Sequence, residues 1–259
     1  MSEQSSKIAL VTGAAKRLGR EIALGLAADG WDIVVHYRSS ADEARTTVED
    51  IRTLGRRCIA LDADLSSEQA TRSLLPRAIA ALGPVSCIVN SASLFDYDDA
   101  GTFTSDMLDA HMRANVSAPI LLAQALHQSL PDSAPESGRA VVINLLDQKL
   151  FNLNPDFLSY TLSKSALQTA TTLLAQALAP KLRVVGLAPG LTMVSGDQTA
   201  EGFALAHRQT PLGKSSTPAD IAAAACYLVS APAVTGTILV VDGGQHLTPL
   251  NRDVMFLTK

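Results

Sequence analysis

Two side chains four residues apart point to proton-transfer chemistry. Tyr160 and Lys164 lie inside a stretch of the chain with helical periodicity. Residues at this spacing share one helix face and lie about 6 Å apart along the axis. We expect the ammonium group to lower the tyrosine pKa from its ordinary value near 10, which would ease proton exchange near neutral pH. Tyr160 is therefore a candidate general acid, and a solvated helix face is the alternative.

A glycine-rich segment follows the first predicted strand. Residues 12–19 read Thr-Gly-Ala-Ala-Lys-Arg-Leu-Gly and lead into a helical pattern. A strand-to-helix turn of this kind leaves backbone N–H groups and the positive end of the helix dipole facing an anion. Gly13 permits the tight turn, Gly19 allows a close approach of phosphate, and Arg17 stands where the common fingerprint has its middle glycine. The segment predicts a dinucleotide pyrophosphate site, and an ordinary β-to-α turn is the alternative.

The end of the second predicted strand indicates which dinucleotide binds. Residues 36–40 read His-Tyr-Arg-Ser-Ser, at the place where an NAD-binding protein carries an acidic residue for the ribose hydroxyls. No Asp or Glu is present there. Arg38, the neighbouring serines and Arg17 offer charge-assisted hydrogen bonds to a 2′-phosphate. This pattern favours NADPH over NADH, unless Arg38 is only a solvated loop residue.

Composition narrows the class of protein. The chain has 259 residues, of which 47% are hydrophobic and 18% charged, with a formal net charge of −4. These values argue against a disordered chain or a fibre and give no electrostatic reason to bind nucleic acid. The three cysteines and five histidines lack the spacing of metal ligands, so no metal site is expected. With neither a signal-like start nor a long apolar run, the chain is predicted to be cytoplasmic and to have no membrane partner.

Short apolar runs alternate with helical patterns along the whole chain, which is typical of a parallel sheet covered by helices. The predicted strands are residues 8–11, 33–35, 58–61, 85–89, 140–145, 183–187 and 238–241. The predicted helices are residues 18–28, 40–54, 66–82, 104–130, 157–178 and 218–229. We therefore predict a single-domain α/β Rossmann fold over residues 1–259, with a doubly wound seven-stranded parallel sheet and helices on both faces. Residues 131–138 are predicted to be a surface loop, and residues 191–216 an irregular substrate loop.

As a set, these motifs resemble the short-chain dehydrogenase/reductase family from about Ile8 to Gly244. The residues that carry the resemblance are the turn at 12–19, Asp64-Leu65 after the third strand, Asn90-Ser91-Ala92-Ser93 after the fourth, Asn115, Tyr160 with Lys164, and Pro189-Gly190. The resemblance implies that Tyr160 transfers the proton, that Lys164 also binds the nicotinamide ribose, and that Asn115 holds a water of a proton relay. It also implies a homotetramer.

The same resemblance implies a cofactor site, in which Asp64 contacts the adenine. The cofactor-binding residues expected are Gly13, Arg17, Leu18, Gly19, His36, Tyr37, Arg38, Ser39, Asp64, Leu65, Asn90, Ser91, Ala92, Tyr160, Lys164, Pro189, Gly190 and Thr192. Ser91 and Ser93 depart from the family's Asn-Asn-Ala-Gly motif.

The most informative departure lies thirteen residues before Tyr160, where the family usually has a serine and this chain has Asp147. A protonated carboxyl group donates a hydrogen bond, and an ionised one attracts N–H groups. Either property suits a nitrogen heterocycle better than a simple ketone. The alternative is that Asp147 only caps backbone groups.

Pteridine reductases share this departure, and the chain resembles them at several other places. The shared features are the turn at 12–19, the strand end at 36–39, and Pro189-Gly190-Leu191 ahead of Thr192. The resemblance implies a pterin ring between the nicotinamide and Phe95, although Phe95 is equally typical of core packing. The expected substrate-binding residues are Arg17, Ser93, Phe95, Asp147 and Tyr160.

The sequence thus predicts an NADPH-dependent reductase that acts on a C=N bond of a pterin, dihydropterin or dihydrofolate, with Asp147, Tyr160, Lys164 and Asn115 as catalytic residues. An NADPH-dependent ketone or 3-ketoacyl reductase is one alternative, and a non-catalytic NADPH-binding regulator is another. The tail at residues 245–259 is expected to reach a neighbouring subunit's site.

Overall fold

The computed structural model describes residues 7–132, 140–194 and 199–257. Its seven strands form one parallel sheet, and each predicted strand is present with ends that differ by at most two residues. The strands are β1 (Ile8–Val11), β2 (Asp32–Tyr37), β3 (Cys58–Asp62), β4 (Cys87–Asn90), β5 (Ala140–Leu145), β6 (Leu182–Pro189) and β7 (Ile238–Val241). The prediction of a doubly wound seven-stranded α/β fold is confirmed.

The spatial order of the strands is β3-β2-β1-β4-β5-β6-β7. The chain first builds outward from β1 on one side and then returns to β1 to build on the other, so the order reverses between β1 and β4. In such sheets the loops at the carboxyl ends diverge at the reversal and leave a crevice between them.

Helices cover both faces of the sheet. They are α1 (Arg17–Ala28), α2 (Ala41–Thr53), α3 (Glu68–Leu82), α4 (Ser105–Met112), α5 (Ala118–Ser129), α6 (Leu158–Ala177), α7 (Ala200–Arg208), α8 (Pro218–Ser230) and α9 (Val254–Leu257). Local signals place several ends. Gly55 and Gly83 follow α2 and α3 with positive φ, and Thr217 and Asp220 form a capping box at the start of α8.

Two apolar cores lie on opposite faces of the sheet. One contains Ile22 of α1 and Ile221 of α8, and the other contains Leu74 of α3 and Leu122 of α5. Residues of the inner strand β1 alternate between the two cores, and all four are fully buried. Burial on both faces explains why the strands appear in the sequence as continuous apolar runs.

Two predictions about local structure were wrong. The single helix expected over 104–130 is divided by a π-helical turn, Arg113–Ser117, between α4 and α5. Pro119 has no N–H to donate to the carbonyl of Asn115 four residues earlier, so the α-helical pattern cannot continue there. The region 191–216, expected to be irregular, contains α7, whose start is capped by Thr199. Most of the predicted loop at 131–138 lies outside the described residues.

Further properties of the fold concern membrane-spanning helices, metal-binding clusters and the exposure of the cysteines. No helix in the described ranges is both long and apolar enough to cross a membrane. Within the same ranges, no cluster of three His, Cys, Asp or Glu side chains is arranged to hold a metal ion. Cys58 and Cys87 are buried, whereas Cys226 is only half-buried. Burial raises the pKa of both buried thiols to about 12, so they stay protonated at neutral pH.

The turn after β1 leads to a prediction about stability. A methyl group at position 19 would lie 2.3 Å from the carbonyl oxygen of Gly13, so the turn would have to shift. We expect Gly19→Ala to lower the free energy of unfolding by about 1–3 kcal/mol, measured by urea denaturation. Gly101→Ala is the control, because its methyl would meet only a side-chain oxygen of Asp99, at 3.3 Å. Equal stability of the two variants would contradict this account of the turn.

Candidate active site

A cavity of about 830 Å³ opens where the strand order reverses. Of the site residues predicted from the sequence, all except Asn90 and Asn115 line it. These lining residues are Gly13, Arg17, Leu18, Gly19, His36, Tyr37, Arg38, Ser39, Asp64, Leu65, Ser91, Ala92, Ser93, Phe95, Asp147, Tyr160, Lys164, Pro189, Gly190 and Thr192. The carboxyl ends of the strands thus bring together segments that lie far apart in the sequence.

A hydrogen-bonded pair lies in the wall of this cavity. The Tyr160 hydroxyl donates to Asp147 Oδ2 at 2.8 Å, and the Lys149 backbone N–H donates to Asp147 Oδ1 at 2.8 Å. Burial raises the pKa of the Asp147 carboxyl above its usual range. The pKa of Tyr160 is raised well above its ordinary value, first by burial and then by the charge of Asp147 and the hydrogen bond to it. Both side chains therefore hold their protons more tightly than in water.

Lys164 is fixed beside this pair. Its ammonium group donates to the carbonyl oxygen of Leu145 at 2.7 Å and lies 5.7 Å from the centroid of the Tyr160 ring. Burial lowers the pKa of Lys164 to about 8. The expectation that Lys164 lowers the pKa of Tyr160 was wrong, because burial and the carboxylate of Asp147 act in the opposite direction.

The opposite end of the cavity is suited to an anion. Helix α1 begins at Arg17 with no side-chain cap and no acidic residue in its first turn. The first N–H groups of a helix have no acceptor within it, so those of Leu18 and Gly19 can bind a phosphate. Lys16, Arg17 and Arg38 are exposed at the same end. Local cations therefore offset the net negative charge of the chain.

Arg17 has an uncommon backbone conformation. Its φ is +55°, in the left-handed region, which costs a non-glycine residue about 1–2 kcal/mol. This explains why the common fingerprint has glycine at the position. The Arg17 guanidinium donates to the carbonyl oxygen of Val194 at 3.0 Å. This bond joins the turn at residues 12–19, called the phosphate turn below, to the segment after β6.

The His36 side chain holds the turn after β1 in place by hydrogen bonds. It is buried; its Nδ1 accepts the Gly13 N–H at 3.1 Å, and its Nε2 lies 3.1 Å from the Ala63 carbonyl oxygen. Nε2 therefore carries the proton in the neutral ring. Burial lowers the pKa of His36 to about 4. Since both ring nitrogens are engaged within the protein, His36 shapes the turn and its edge forms part of the cavity wall.

The turn after β1 is also joined to the loop after β4. The Thr12 hydroxyl accepts hydrogen bonds from the backbone N–H groups of Ser91 and Ala92, both at 3.0 Å, and donates to Val89 O at 3.3 Å. A methyl group on Gly13 would come within 2.9 Å of Ala92. The two loops that border the crevice therefore pack in direct contact.

Two predicted cofactor residues at the cavity wall are held by local hydrogen bonds. Asp64 accepts the N–H and hydroxyl of Ser66 at 2.9 and 2.8 Å, and these bonds lower its pKa. The Thr192 hydroxyl donates to Gly190 O at 2.8 Å and lies 2.9 Å from the Ser216 hydroxyl. Both side chains thus have defined orientations at the wall.

Asn90 and Asn115 lie behind the cavity wall. Asn90 Nδ2 donates to Asn144 Oδ1 at 2.8 Å, and Asn144 Nδ2 in turn donates to Thr171 of α6 at 3.0 Å, so this chain of bonds joins β4, β5 and α6. Asn115 accepts the Leu94 N–H at 2.7 Å and donates to the Leu94 carbonyl at 3.0 Å. Neither residue is among those that line the cavity, so the roles expected of Asn90 and Asn115 stay predictions.

The loop that carries Phe95 is held at two further points. The Asp96 N–H donates to Nε2 of the buried His111 at 3.3 Å. The buried Asp98 carboxylate accepts the Ser159 N–H at 2.9 Å and also the Ser159 hydroxyl. Since Ser159 precedes Tyr160, Asp98 joins this loop directly to the start of the helix that carries Tyr160.

Phe95 forms part of an aromatic cluster. Its ring stacks on Phe157 with centroids 4.4 Å apart and meets the Tyr160 ring edge-on at 4.7 Å. Phe157 is stacked in turn against Phe256, at 6.1 Å. Phe95 remains 39% exposed, so it is neither a core residue nor a free ring. One face is supported by Phe157, and the exposed part lies at the cavity.

The C-terminal tail supplies site residues that were not predicted. Asp253, Val254 and Met255 line the cavity of their own chain, as does Lys149. The tail therefore forms part of the cavity wall of its own chain, and its expected reach to a neighbouring subunit's site stays a prediction. Its anchors are the Arg252–Asp156 ion pair and the 3.1 Å contact between Lys149 Nζ and Asp253 Oδ2. Such long-range pairs leave no local pattern in a single sequence.

Comparisons with known proteins agree with this geometry. A family model described as enoyl-(acyl carrier protein) reductase matches residues 13–246. The chain belongs to the short-chain dehydrogenase/reductase family. An uncharacterized oxidoreductase of Methylorubrum extorquens is 34% identical over 252 residues, which are 94% of this chain and 99% of that protein. The 3beta-hydroxysteroid dehydrogenase 1 of Eggerthella lenta is 32% identical and covers 94% of this chain and 95% of its own length.

A solved structure of a dihydrofolate reductase is also similar to this chain. The crystal structure of FolM alternative dihydrofolate reductase 1 from Brucella canis, complexed with NADP, matches with a TM-score of 0.89 and 35% identity. The match covers 95% of this chain and 96% of that one. The resemblance inferred from the sequence, to this oxidoreductase family and to its pteridine reductase-like members, is thereby confirmed.

The buried His36 predicts a pH dependence of stability. In the unfolded chain this histidine takes up a proton near pH 6.5, whereas in the fold it stays neutral down to about pH 4. Stability is therefore complete above pH 6.5 and is lost as pH falls toward 4, by about 3 kcal/mol for this group. Urea unfolding from about pH 3.5 to about pH 7.5, a range that includes both pKa values, measures how the free energy of unfolding changes with pH.

The matched variants for this prediction are His36→Gln and His127→Gln. We expect His36→Gln to remove most of the pH dependence of the unfolding free energy that comes from His36. We expect His127→Gln to keep that pH dependence. If His36→Gln kept the parental pH dependence, the neutral buried imidazole would not be its source.

Proposed function

We propose that this oxidoreductase binds NADPH and reduces a C=N bond of a pterin, dihydropterin or dihydrofolate. The observation that carries the proposal is the hydrogen bond between Tyr160 and Asp147 in the cavity wall. A half-buried carboxyl group with a raised pKa beside the tyrosine supplies a second exchangeable proton and an acceptor for ring N–H groups. A serine at this position would offer a hydroxyl alone.

The chemistry of the cavity wall fits NADPH. The uncapped start of α1 with Lys16 and Arg17 suits the pyrophosphate, and Arg38 with Ser39 suits the 2′-phosphate. Asp64 and Leu65 would border the adenine, and Lys164 would bind the nicotinamide ribose. Bound NADPH would supply the hydride. The nucleotide in the Brucella canis structure supports this assignment.

The residues of the chain account for the proton. Because its pKa is raised, Tyr160 is protonated at neutral pH and can donate to the ring nitrogen. A protonated Asp147 can then return a proton to the tyrosine across their 2.8 Å hydrogen bond. The Lys164 ammonium stabilises negative charge on either group. Each turnover therefore ends with the pair one proton short.

Asn115 is proposed to help replace that proton through its backbone rather than its side chain. Its amide group already binds Leu94 and Ser163. Its carbonyl lacks the usual helical donor, since Pro119 has no N–H. A carbonyl in this position can hold a water molecule of the proton relay.

The substrate is proposed to be flat and aromatic in character. The exposed part of Phe95 offers a stacking surface opposite the nicotinamide position, and Ser93 and Arg17 offer polar contacts at its edge. Phe157 supports Phe95 from behind and so holds the ring in place. A rigid stacking surface of this kind selects a planar heterocycle.

A ketone reductase is the second candidate function. The similarity to the 3beta-hydroxysteroid dehydrogenase 1 of Eggerthella lenta favours it. In that case Tyr160 would protonate a carbonyl oxygen and Asp147 would have no required part in the reaction. A non-catalytic regulator is disfavoured because Tyr160 and Lys164 are both held in the cavity wall.

A homotetramer, implied by the family resemblance, belongs to the same proposal. Leu162 and Leu173 of α6 are apolar side chains that are 46% and 58% exposed. A second copy of the chain is a natural partner for such a face. The cytoplasmic location stays a prediction.

The decisive experiment follows NADPH oxidation with dihydropterins, dihydrofolate and a panel of ketones. We expect pterin turnover by the parent and a loss of about 100-fold or more in kcat in Asp147→Ser, because proton delivery is removed. Asp109→Ser, an exposed change on α4, is the control and should keep full activity. Turnover of ketones alone would overturn the proposed substrate, and full pterin turnover by Asp147→Ser would overturn the role proposed for Asp147.

The nucleotide preference is tested separately. We expect Arg38→Ala to weaken NADPH binding by about 10- to 100-fold and to leave NADH binding nearly unchanged, since only NADPH carries the 2′-phosphate. Nicotinamide fluorescence titration measures both dissociation constants. Arg45→Ala, which removes an exposed arginine of α2, is the control. Equal weakening of both nucleotides in Arg38→Ala would show that Arg38 does not read the phosphate.

A further inference from the structure

Lys149 contacts both the catalytic pair and the C-terminal tail. Its backbone N–H donates to Asp147 at 2.8 Å, while its buried ammonium group lies 3.1 Å from Asp253 Oδ2 and also donates to Asn154. The same ammonium group lies 5.6 Å from the centroid of the Phe157 ring. A single residue thus joins the carboxyl group at the site to a carboxylate brought in from the far end of the chain.

The tail is held in place independently of Lys149. The Arg252 guanidinium donates to both oxygens of the buried Asp156 carboxylate at 3.0 and 2.9 Å. The Asp253 N–H donates to the same carboxylate at 2.7 Å. Asp253 is therefore kept at the cavity by its backbone, and its side chain is only 17% exposed.

We propose that Lys149 and Asp253 form an ion pair that positions Asp147 and Tyr160. This ion pair also sets the pH range over which Asp147 and Tyr160 deliver a proton. The inference rests on the proposed function, because it assigns a control over the same proton donor. Lys149 and Asp253 act through Asp147 and are positioning residues. Their opposite charges at one wall of the cavity balance each other.

The charges around the proton donor come from several elements. Lys164 of α6 faces it from one side, Lys149 and Asp253 from another, and His111 of α4 meets the Tyr160 ring edge-on at 6.4 Å. Burial is the main reason that the pKa of Asp147 and of Tyr160 is raised, and the Asp253 charge raises both further. Lys164 acts in the opposite direction on Asp147.

Two substitutions distinguish whether Lys149 and Asp253 control the ionisation of Asp147 by their charges or only support its position. Asp253→Asn removes a negative charge and leaves Lys149 unbalanced, so Asp147 should ionise at lower pH by about 0.5–1 unit. Lys149→Met removes the positive charge and leaves Asp253 unbalanced, so Asp147 should ionise at higher pH by a similar amount. A structural role predicts no such opposition. Lys149→Arg keeps the charge and should restore the parental value.

The direct measurement is the pH titration of the Asp147 carboxyl ¹³C resonance in protein loaded with oxidised NADP, assigned by its absence from Asp147→Ser. It needs no substrate, so it decides the inference even if pterins are not turned over and the proposed function fails. Where a substrate is turned over, the alkaline limb of kcat should move in the same opposite directions. Shifts in one direction for both variants, or a titration unchanged in both, would overturn the inference.

Discussion

The hydrogen bond between the Tyr160 hydroxyl and the Asp147 carboxyl is the constraint on which the rest of the site depends. It requires the segment after β5, which carries Asp147, and the first turn of α6, which carries Tyr160, to lie next to each other in the cavity wall. The Asn90–Asn144–Thr171 chain of hydrogen bonds connects the strands to α6. The bond from Lys164 to Leu145 connects the helix to the end of β5 once more. Apolar packing of the sheet sets the distances, and these polar bonds set the orientations.

The loops around the cavity are ordered by buried polar side chains rather than by their own sequence. Thr12 and His36 hold the phosphate turn, while Asn115, His111 and Asp98 hold the segment that carries Phe95. Each of these contacts places a buried donor or acceptor where losing its partner is costly. The described loops around the cavity are therefore held in place by hydrogen bonds within the protein itself.

Much of this arrangement was predictable because it follows from local patterns. Strands buried on both faces leave continuous apolar runs, so the sheet could be read from the sequence. The clustering of Tyr160, Asp147 and the glycine turn follows from the shared carboxyl edge of a parallel sheet. The position of Asp253 in the cavity wall could not be predicted from the sequence, since the contacts that hold the tail join residues nearly a hundred positions apart. The direction of the Tyr160 pKa also depended on burial, which spacing alone does not give.

The stack of Phe95, Phe157 and Phe256 has a consequence for which parts of the chain the cavity needs. Phe95 lies in the loop after β4, Phe157 directly precedes α6, and Phe256 lies in α9, after strand β7. Helix α9 adds no strand to the sheet, yet its ring extends the aromatic wall beside Tyr160. The sheet and this wall are therefore separable in sequence, and a change in α9 alters the shape of the cavity while every strand pairing of the sheet is kept.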